Sequence, residues 1–126
     1  MTSNTVSGMF INIKYDIPLS RIQDLLITAL EGGSNHWVKD IQLEYYYTES
    51  QKFPAYDIDH PKYKVILTDS HTGEEHTMTL GRYKVGLGDM SIKYPWHAKD
   101  FVHENEDAVT GDVFLQCAVF GEVKYG

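Results

Sequence analysis

The spacing of apolar residues changes character near Leu80, and that change limits the folds open to the chain. From Trp37 to Thr48, Val38, Ile41, Leu43, Tyr45 and Tyr47 mostly alternate with Lys39, Gln42, Glu44 and Tyr46. This is the period of a half-covered strand, and a slip near Asp40 predicts an irregular start. Tyr63 to Thr68 and His76 to Leu80 are shorter β-type runs, and the Asp, Ser and Gly of Asp69 to Glu75 between them favour a reversal, so the two should pair as a hairpin. Met9 to Tyr15 mixes β-branched and aromatic residues before Pro18 and reads as a further strand.

One helix interrupts this β-rich part. Ile22, Leu25, Leu26, Ala29 and Leu30 form a stripe from about Ser20, the expected N-cap, to about Glu31, where Gly32 or Gly33 offers a left-handed stop. Beyond Leu80 the spacing is three and four. Tyr83, Leu87, Met90 and Tyr94 predict a helix loosened by Gly81, Gly86 and Gly88, and Pro95 precedes a short helix that turns Trp96, Phe101 and Val102 inward. Asn105 or Asp107 caps a last helix carrying Val109, Val113, Phe114, Cys117 and Phe120, broken by Gly121. Glu49 to Lys62 reads as a surface loop long enough to be a lid, and Glu122 to Gly126 as an extended, docked tail. Strands first and helices last predict an α+β fold: a single domain over residues 1–126, with an antiparallel sheet of about four strands packed against three to four helices.

The chain has 126 residues, the commonest size for one domain, and its 13% aromatic content, with nine tyrosines, provides rings for a pocket or a contact between copies. A homo-oligomer is expected on that ground. Eighteen acidic against eleven basic residues give a net charge of −7, without the clustered cations that phosphate backbones require, so no direct nucleic-acid binding is expected. The acids are scattered among lysines, as solubility alone requires, rather than arrayed as in an imitation of nucleic acid. The single Cys117 cannot form an internal disulfide, and its apolar helical setting predicts an inert buried thiol. No run approaches the ~18 apolar residues of a membrane span, and Met1 to Gly8 lacks a signal-peptide layout, so the expected location is the cytoplasm of a host cell, with no membrane partner.

Chemistry-bearing residues concentrate after the first helix. Glu31, Gly32, Gly33, Ser34, Asn35 and Trp37 combine flexible backbone, polar side chains and an indole, a mixture that packing alone does not require. On the last helix, Asp112 and Gln116 stand one turn apart on one face. A bland account exists for both: an ordinary turn and a solvated helix face. Six histidines show no His-Glu-x-x-His or Cys/His spacing, so neither metal nor cofactor is expected. Gly81 to Met90 is glycine-rich but lacks the Gly-Lys-Ser/Thr that closes a phosphate loop. Ser34 and His36 have no elbow motif to make them a nucleophile and base, so no catalytic residue is assigned.

Two motifs carry a resemblance. Ala29-Leu30-Glu31-Gly32-Gly33-Ser34-Asn35-x-Trp37, together with Asp107-Ala108, Gly111-Asp112-Val113-x-Leu115-Gln116 and Phe120-Gly121-Glu122-Val123-x-Tyr125-Gly126, resembles a family of small uncharacterised bacteriophage and prophage proteins. The motifs bracket nearly the whole chain, whereas Thr48 to Gly81 has no counterpart. His36 departs from the family, where tyrosine is usual. The resemblance implies a viral origin and a one-domain fold, and it carries no reaction.

A viral origin orders the functional readings. The first is an accessory protein that binds and sequesters a small, nucleotide-like ligand, such as a nucleotide-derived immune signal, to counter host defence. In that arrangement Trp37 stacks a base, Asn35 and Gln116 read polar edges, Ser34 and the Gly33 amide approach ribose or phosphate, and Glu31, Gly32 and Asp112 complete the wall. Arg82, Lys84 and Lys93 are the cations offered to phosphate, and their scarcity argues against a highly charged ligand. The second is an acidic module, with Tyr45, Tyr46 and Tyr47 on its surface, that binds and inhibits a host protein. The third, a small hydrolase using Glu31 or Asp112 as base, requires those carboxylates to converge.

Overall fold

The computed structural model describes residues 16–44 and 53–126. The predicted strand at Met9 to Tyr15 and the tyrosines 45–47 lie outside the described residues. In chain order come α1 (Leu19–Thr28), a π-helical turn (Ala29–Gly33), β1 (Val38–Leu43), β2 (Val65–Asp69), β3 (Glu75–Met78), α2 (Leu80–Lys93), α3 (Pro95–Val102) and α4 (Ala108–Phe120). The architecture is α+β. Among the described residues the sheet has three antiparallel strands in the order β1-β2-β3, with four α-helices packed around it and on one another. No helix among them is long and apolar enough to cross a membrane.

The sheet follows from its alternation. β2 is central and turns Val65, Leu67 and Asp69 inward, leaving Ile66 and Thr68 half-buried. Its register sets Val65 opposite Met78 and Leu67 opposite His76, closing the hairpin through a turn in which Gly73 takes a positive φ of 75°. The expected slip in β1 lies between Val38 and Asp40, where the pairing with β2 shifts.

α4 is the axis of the molecule. Every residue from Thr110 to Val119 is buried, because α1, the π turn, α2, α3 and β3 surround the helix. Phe114 and Leu115 there, with Leu25, Leu26, Trp37, Tyr83 and Met90, form the centre of the core. Burying side chains of this size contributes roughly 1.5–3 kcal/mol each. The Asp107 side chain accepts from the Thr110 amide and caps α4, and this bond keeps its carboxyl below its ordinary pKa. Gly121 ends the helix at φ 81°, in the left-handed region.

Several expectations are corrected. Pro18, not Ser20, precedes α1, and no side chain caps that end. Neither Gly32 nor Gly33 is left-handed; the helix continues as a wider turn, closed by the Ser34 amide donating to the Ala29 carbonyl at 2.9 Å. Gly33 is small for another reason: a Cβ there would collide with the Ala108 carbonyl at the start of α4. On the other helix, a Cβ on Gly111 would lie 3.0 Å from the Ala29 nitrogen, so α4 crosses α1 and its π-helical turn at two residues without side chains. Of the residues expected inside, Phe101 is buried as expected, whereas Trp96 at the start of α3 and Val109 on the open side of the first turn of α4 are each 58% exposed.

Candidate functional site

The helix crossing at Gly33 and Gly111 brings the two sequence motifs side by side. Four of the eight predicted site residues, Ser34, Trp37, Asp112 and Gln116, meet there. Asp112 Oδ1 accepts from Ser34 Oγ and from Trp37 Nε1, both at 2.7 Å, and Oδ2 accepts from Gln116 Nε2 at 2.9 Å. The His36 imidazole lies 3.5 Å from Oδ2 on the solvent side. Gln116 then uses its whole amide. Nε2 also donates to the Tyr125 carbonyl at 2.9 Å, and Oε1 accepts the Lys124 and Tyr125 amides at 2.8 Å each. Two donors and two lone pairs are all engaged, so this side chain acts as an extra peptide group that holds the tail.

From the tail the network reaches the sheet. Tyr125 Oη donates to Asp69 Oδ2 at 2.6 Å, and the His71 amide donates to Asp69 Oδ1 at 2.8 Å. Burial opposes ionisation of Asp69, but the bonds from Tyr125 and from the His71 and Thr72 amides outweigh it and hold its pKa below the ordinary value. The same bond to Asp69 raises the Tyr125 phenol. Trp37 stacks against Tyr125 at 6.0 Å and tilts against Phe120 at 5.3 Å, so rings cover the polar chain. Asp112 and Gln116 are therefore not a solvated helix face: Gln116, Trp37 and Ser34 are at most 1% exposed, and Asp112 is 8% exposed.

The other four predicted residues diverge. Glu31, Gly32 and Asn35 are exposed, and Gly33 is half-buried against Ala108. Asn35 lines a shallow cleft of about 250 Å³ with Leu30, Val38 and Ile41, and Glu31 lines another of about 200 Å³ with Leu30, Phe53 and Pro54. Glu31 and Asp112 thus face different surroundings, and Asp112 already accepts three hydrogen bonds. Among the described residues no three His, Cys, Asp or Glu side chains gather as a metal site would need. Cys117 is buried, and burial pushes its thiol up to about 11, away from reactivity.

Two of the cations offered to phosphate are also engaged. Arg82 donates to the Val119 carbonyl at 2.9 Å and Lys93 to the Gly121 carbonyl at 2.7 Å, so both cover the C-terminal end of α4. Arg21 forks onto Glu106, at 2.6 and 2.9 Å, and lies over the Phe101 ring. The hydrogen bond between them raises the Arg21 pKa and lowers that of Glu106.

A larger opening than either of these clefts lies elsewhere, between α1, α2 and α3. It is a cleft of about 400 Å³ with walls of Ile22, Leu87, Ala98, Phe101 and Val102 and an edge at Ile17. Lys84, Gly88 and Ser91 line it from one stripe of α2, and among the described residues no acidic one does. A Cβ added at Gly88 would meet nothing within 4 Å, in contrast to Gly86, where it would lie 2.5 Å from Ala118 Cα. Periodicity alone passes over this cleft, because its walls are the edges of three helical stripes. The available signal was Gly88 itself, a helix-weakening residue placed where the core does not ask for it. No family model, curated protein or solved structure matches the chain.

Proposed function

We propose that the chain is a phage-encoded accessory protein that acts by binding a small molecule, without chemistry of its own. The observation that carries this reading is the apolar cleft of about 400 Å³ on α1, α2 and α3, within the range of roughly 300–1,000 Å³ typical of ligand sites. The viral setting makes sequestration of a host signal the purpose such binding would serve. A nucleotide-like ligand at the glycine junction would have to use Glu31, Gly32, Asn35 and His36, the exposed members, because Ser34, Trp37, Asp112 and Gln116 bond to one another and to the tail. With Arg82 and Lys93 also engaged, a ligand of low charge fits better than a polyphosphate. Native mass spectrometry of the purified protein, followed by titration calorimetry against nucleotides and apolar acids, tests the reading. An adduct or a saturable heat supports it; the bare mass with no heat from either class removes it.

A second reading has its own observation. Val85 and Ile92, one heptad apart on α2, are 58% and 79% exposed, and Trp96 at the start of α3 is 58% exposed. Apolar side chains this open on one helical hairpin suit contact with a host protein or another copy of the chain. If light scattering gives the monomer mass at all concentrations and a host lysate yields no stoichiometric partner, this reading fails.

A further inference from the structure

The cleft's chemistry selects among small molecules. Its walls are mainly hydrocarbon, and among the described residues the charged side chain lining it is Lys84. None of the ion pairs among the described residues involves Lys84. Lys84 stands one helical turn before Gly88 on the same stripe, and both line the cleft. Ser91, further along the stripe, donates its hydroxyl to the Gly88 carbonyl at 2.6 Å and keeps its lone pairs as acceptors.

The neighbouring surface gives the direction. A second opening of about 240 Å³ shares Ile17, Phe101 and Val102 with the cleft and is lined beyond them by Asp16, Arg21 and Glu104. The Arg21 guanidinium is already forked onto Glu106. That end therefore repels an anion, while the Lys84 end attracts one. The helical hairpin from Leu80 to His103 also carries Arg82, Lys84, Lys93 and Lys99 against Asp89 and Asp100, in a chain whose net charge is −7.

From these observations we infer that the α1–α2–α3 cleft binds a free monoanionic amphiphile: a carboxylate at Lys84 and a hydrocarbon body over Gly88, against Leu87, Ala98 and Phe101. The inference rests on the small-molecule reading above and names the ligand class. Gly88 then lies at the exposed edge of the site, where a side chain would project into the space the hydrocarbon takes.

Decanoate and decan-1-ol, titrated into the full chain by calorimetry, test this with two variants. Gly88→Leu fills the space beside Gly88 and should weaken decanoate at least about tenfold, the scale on which losing an apolar contact site is felt. Because the variant replaces glycine by a strong helix former in open space, its thermal midpoint should not fall. Lys84→Gln should weaken decanoate roughly fivefold, as expected for a partly exposed ion pair, and leave decanol unchanged. If decanol and decanoate bind alike and Lys84→Gln changes neither, the carboxylate assignment is wrong while the apolar site stands. If neither probe binds, or Gly88→Leu binds both as the parent does, the cleft is not a ligand site and the reading beneath it falls as well. Nucleotide heats that persist in both variants would move the ligand to the junction and overturn the inference.

Discussion

The two regions that could hold a ligand are built on opposite principles. At the glycine junction, polar side chains from three parts of the sequence converge and satisfy one another, leaving Asp112 and Gln116 with their hydrogen-bonding capacity engaged inside the molecule. Between α1, α2 and α3 the lining is mainly apolar, with Lys84 and Ser91 among it, and Gly88 faces open space. Polar richness therefore marks a latch in the first region, and an open, mainly apolar lining sets the second apart. A buried polar group is tolerated only when its partners are already in place, and a group so satisfied has little left to offer a ligand.

The largest expected effect tests the latch. Asp112→Ala strips the acceptor from the Ser34 hydroxyl, the Trp37 indole and the Gln116 amide together. Each buried donor left alone costs about 1–3 kcal/mol, so the variant should lose roughly 3–5 kcal/mol in urea unfolding. Asp112→Asn should lose less, since one oxygen can still serve Ser34 and Trp37 while its amide confronts that of Gln116. A loss below about 1 kcal/mol for Asp112→Ala, well under that scale, would mean the group is not a latch and would reopen it to a ligand.

Next in size is the contrast on α2. A methyl at Gly86 would lie 2.5 Å from Ala118 Cα and 2.6 Å from its nitrogen, both backbone atoms of the central helix. Gly86→Ala must push α2 away from α4, at a cost of about 1–3 kcal/mol that the better helix propensity only partly offsets. Thermal unfolding measures it. A variant as stable as the parent would show that the two helices can separate freely, and the core drawn around Phe114 would need revision.

A smaller effect carries a pH signature. The carboxyls of Asp69, Glu106 and Asp107 are held below their ordinary pKa values in the folded chain. The unfolded chain thus binds more protons in that window, and the stability they contribute is complete above the ordinary carboxylate range, about pH 4. It is lost as pH falls through the lower folded values. Tyr125→Phe removes the phenol that helps hold Asp69 ionised, so its urea midpoint should lie below the parent's at pH 7, with the two approaching each other under pH 4. Parallel midpoints down to pH 3 would show that the Tyr125–Asp69 bond is not what docks the tail.

What the sequence disclosed follows the same division. Local chemistry was legible: the hairpin turn, the slip at Asp40, the Asp107 cap and the Gly121 stop each depend on a few neighbouring residues. The facing of a helix was less so. α4 is enclosed on all sides from Thr110 onward, so its apolar period could not say that Asp112 and Gln116 are buried along with Phe114, and Val109 lies on the open side of the first turn. Ser34, Trp37, Asp112 and Gln116 could be picked out as unusual, but donors and acceptors of the same types serve a ligand or one another equally well. Only their mutual distances decide. The cleft was least legible because its walls are the edges of three separate helical stripes.

The smallest stability change is the one that separates the two glycines of α2 most cleanly. Gly88→Ala adds a methyl with no heavy atom within 4 Å and removes a residue that weakens helices. Stability should rise, by up to about 1 kcal/mol, where Gly86→Ala lowers it. The opposite signs, two residues apart on one helix, would show that Gly86 is required by packing and that Gly88 is not. If Gly88→Ala is destabilising in thermal unfolding, another part of the molecule already fills that space, and Gly88 joins Gly86 as a residue of the core.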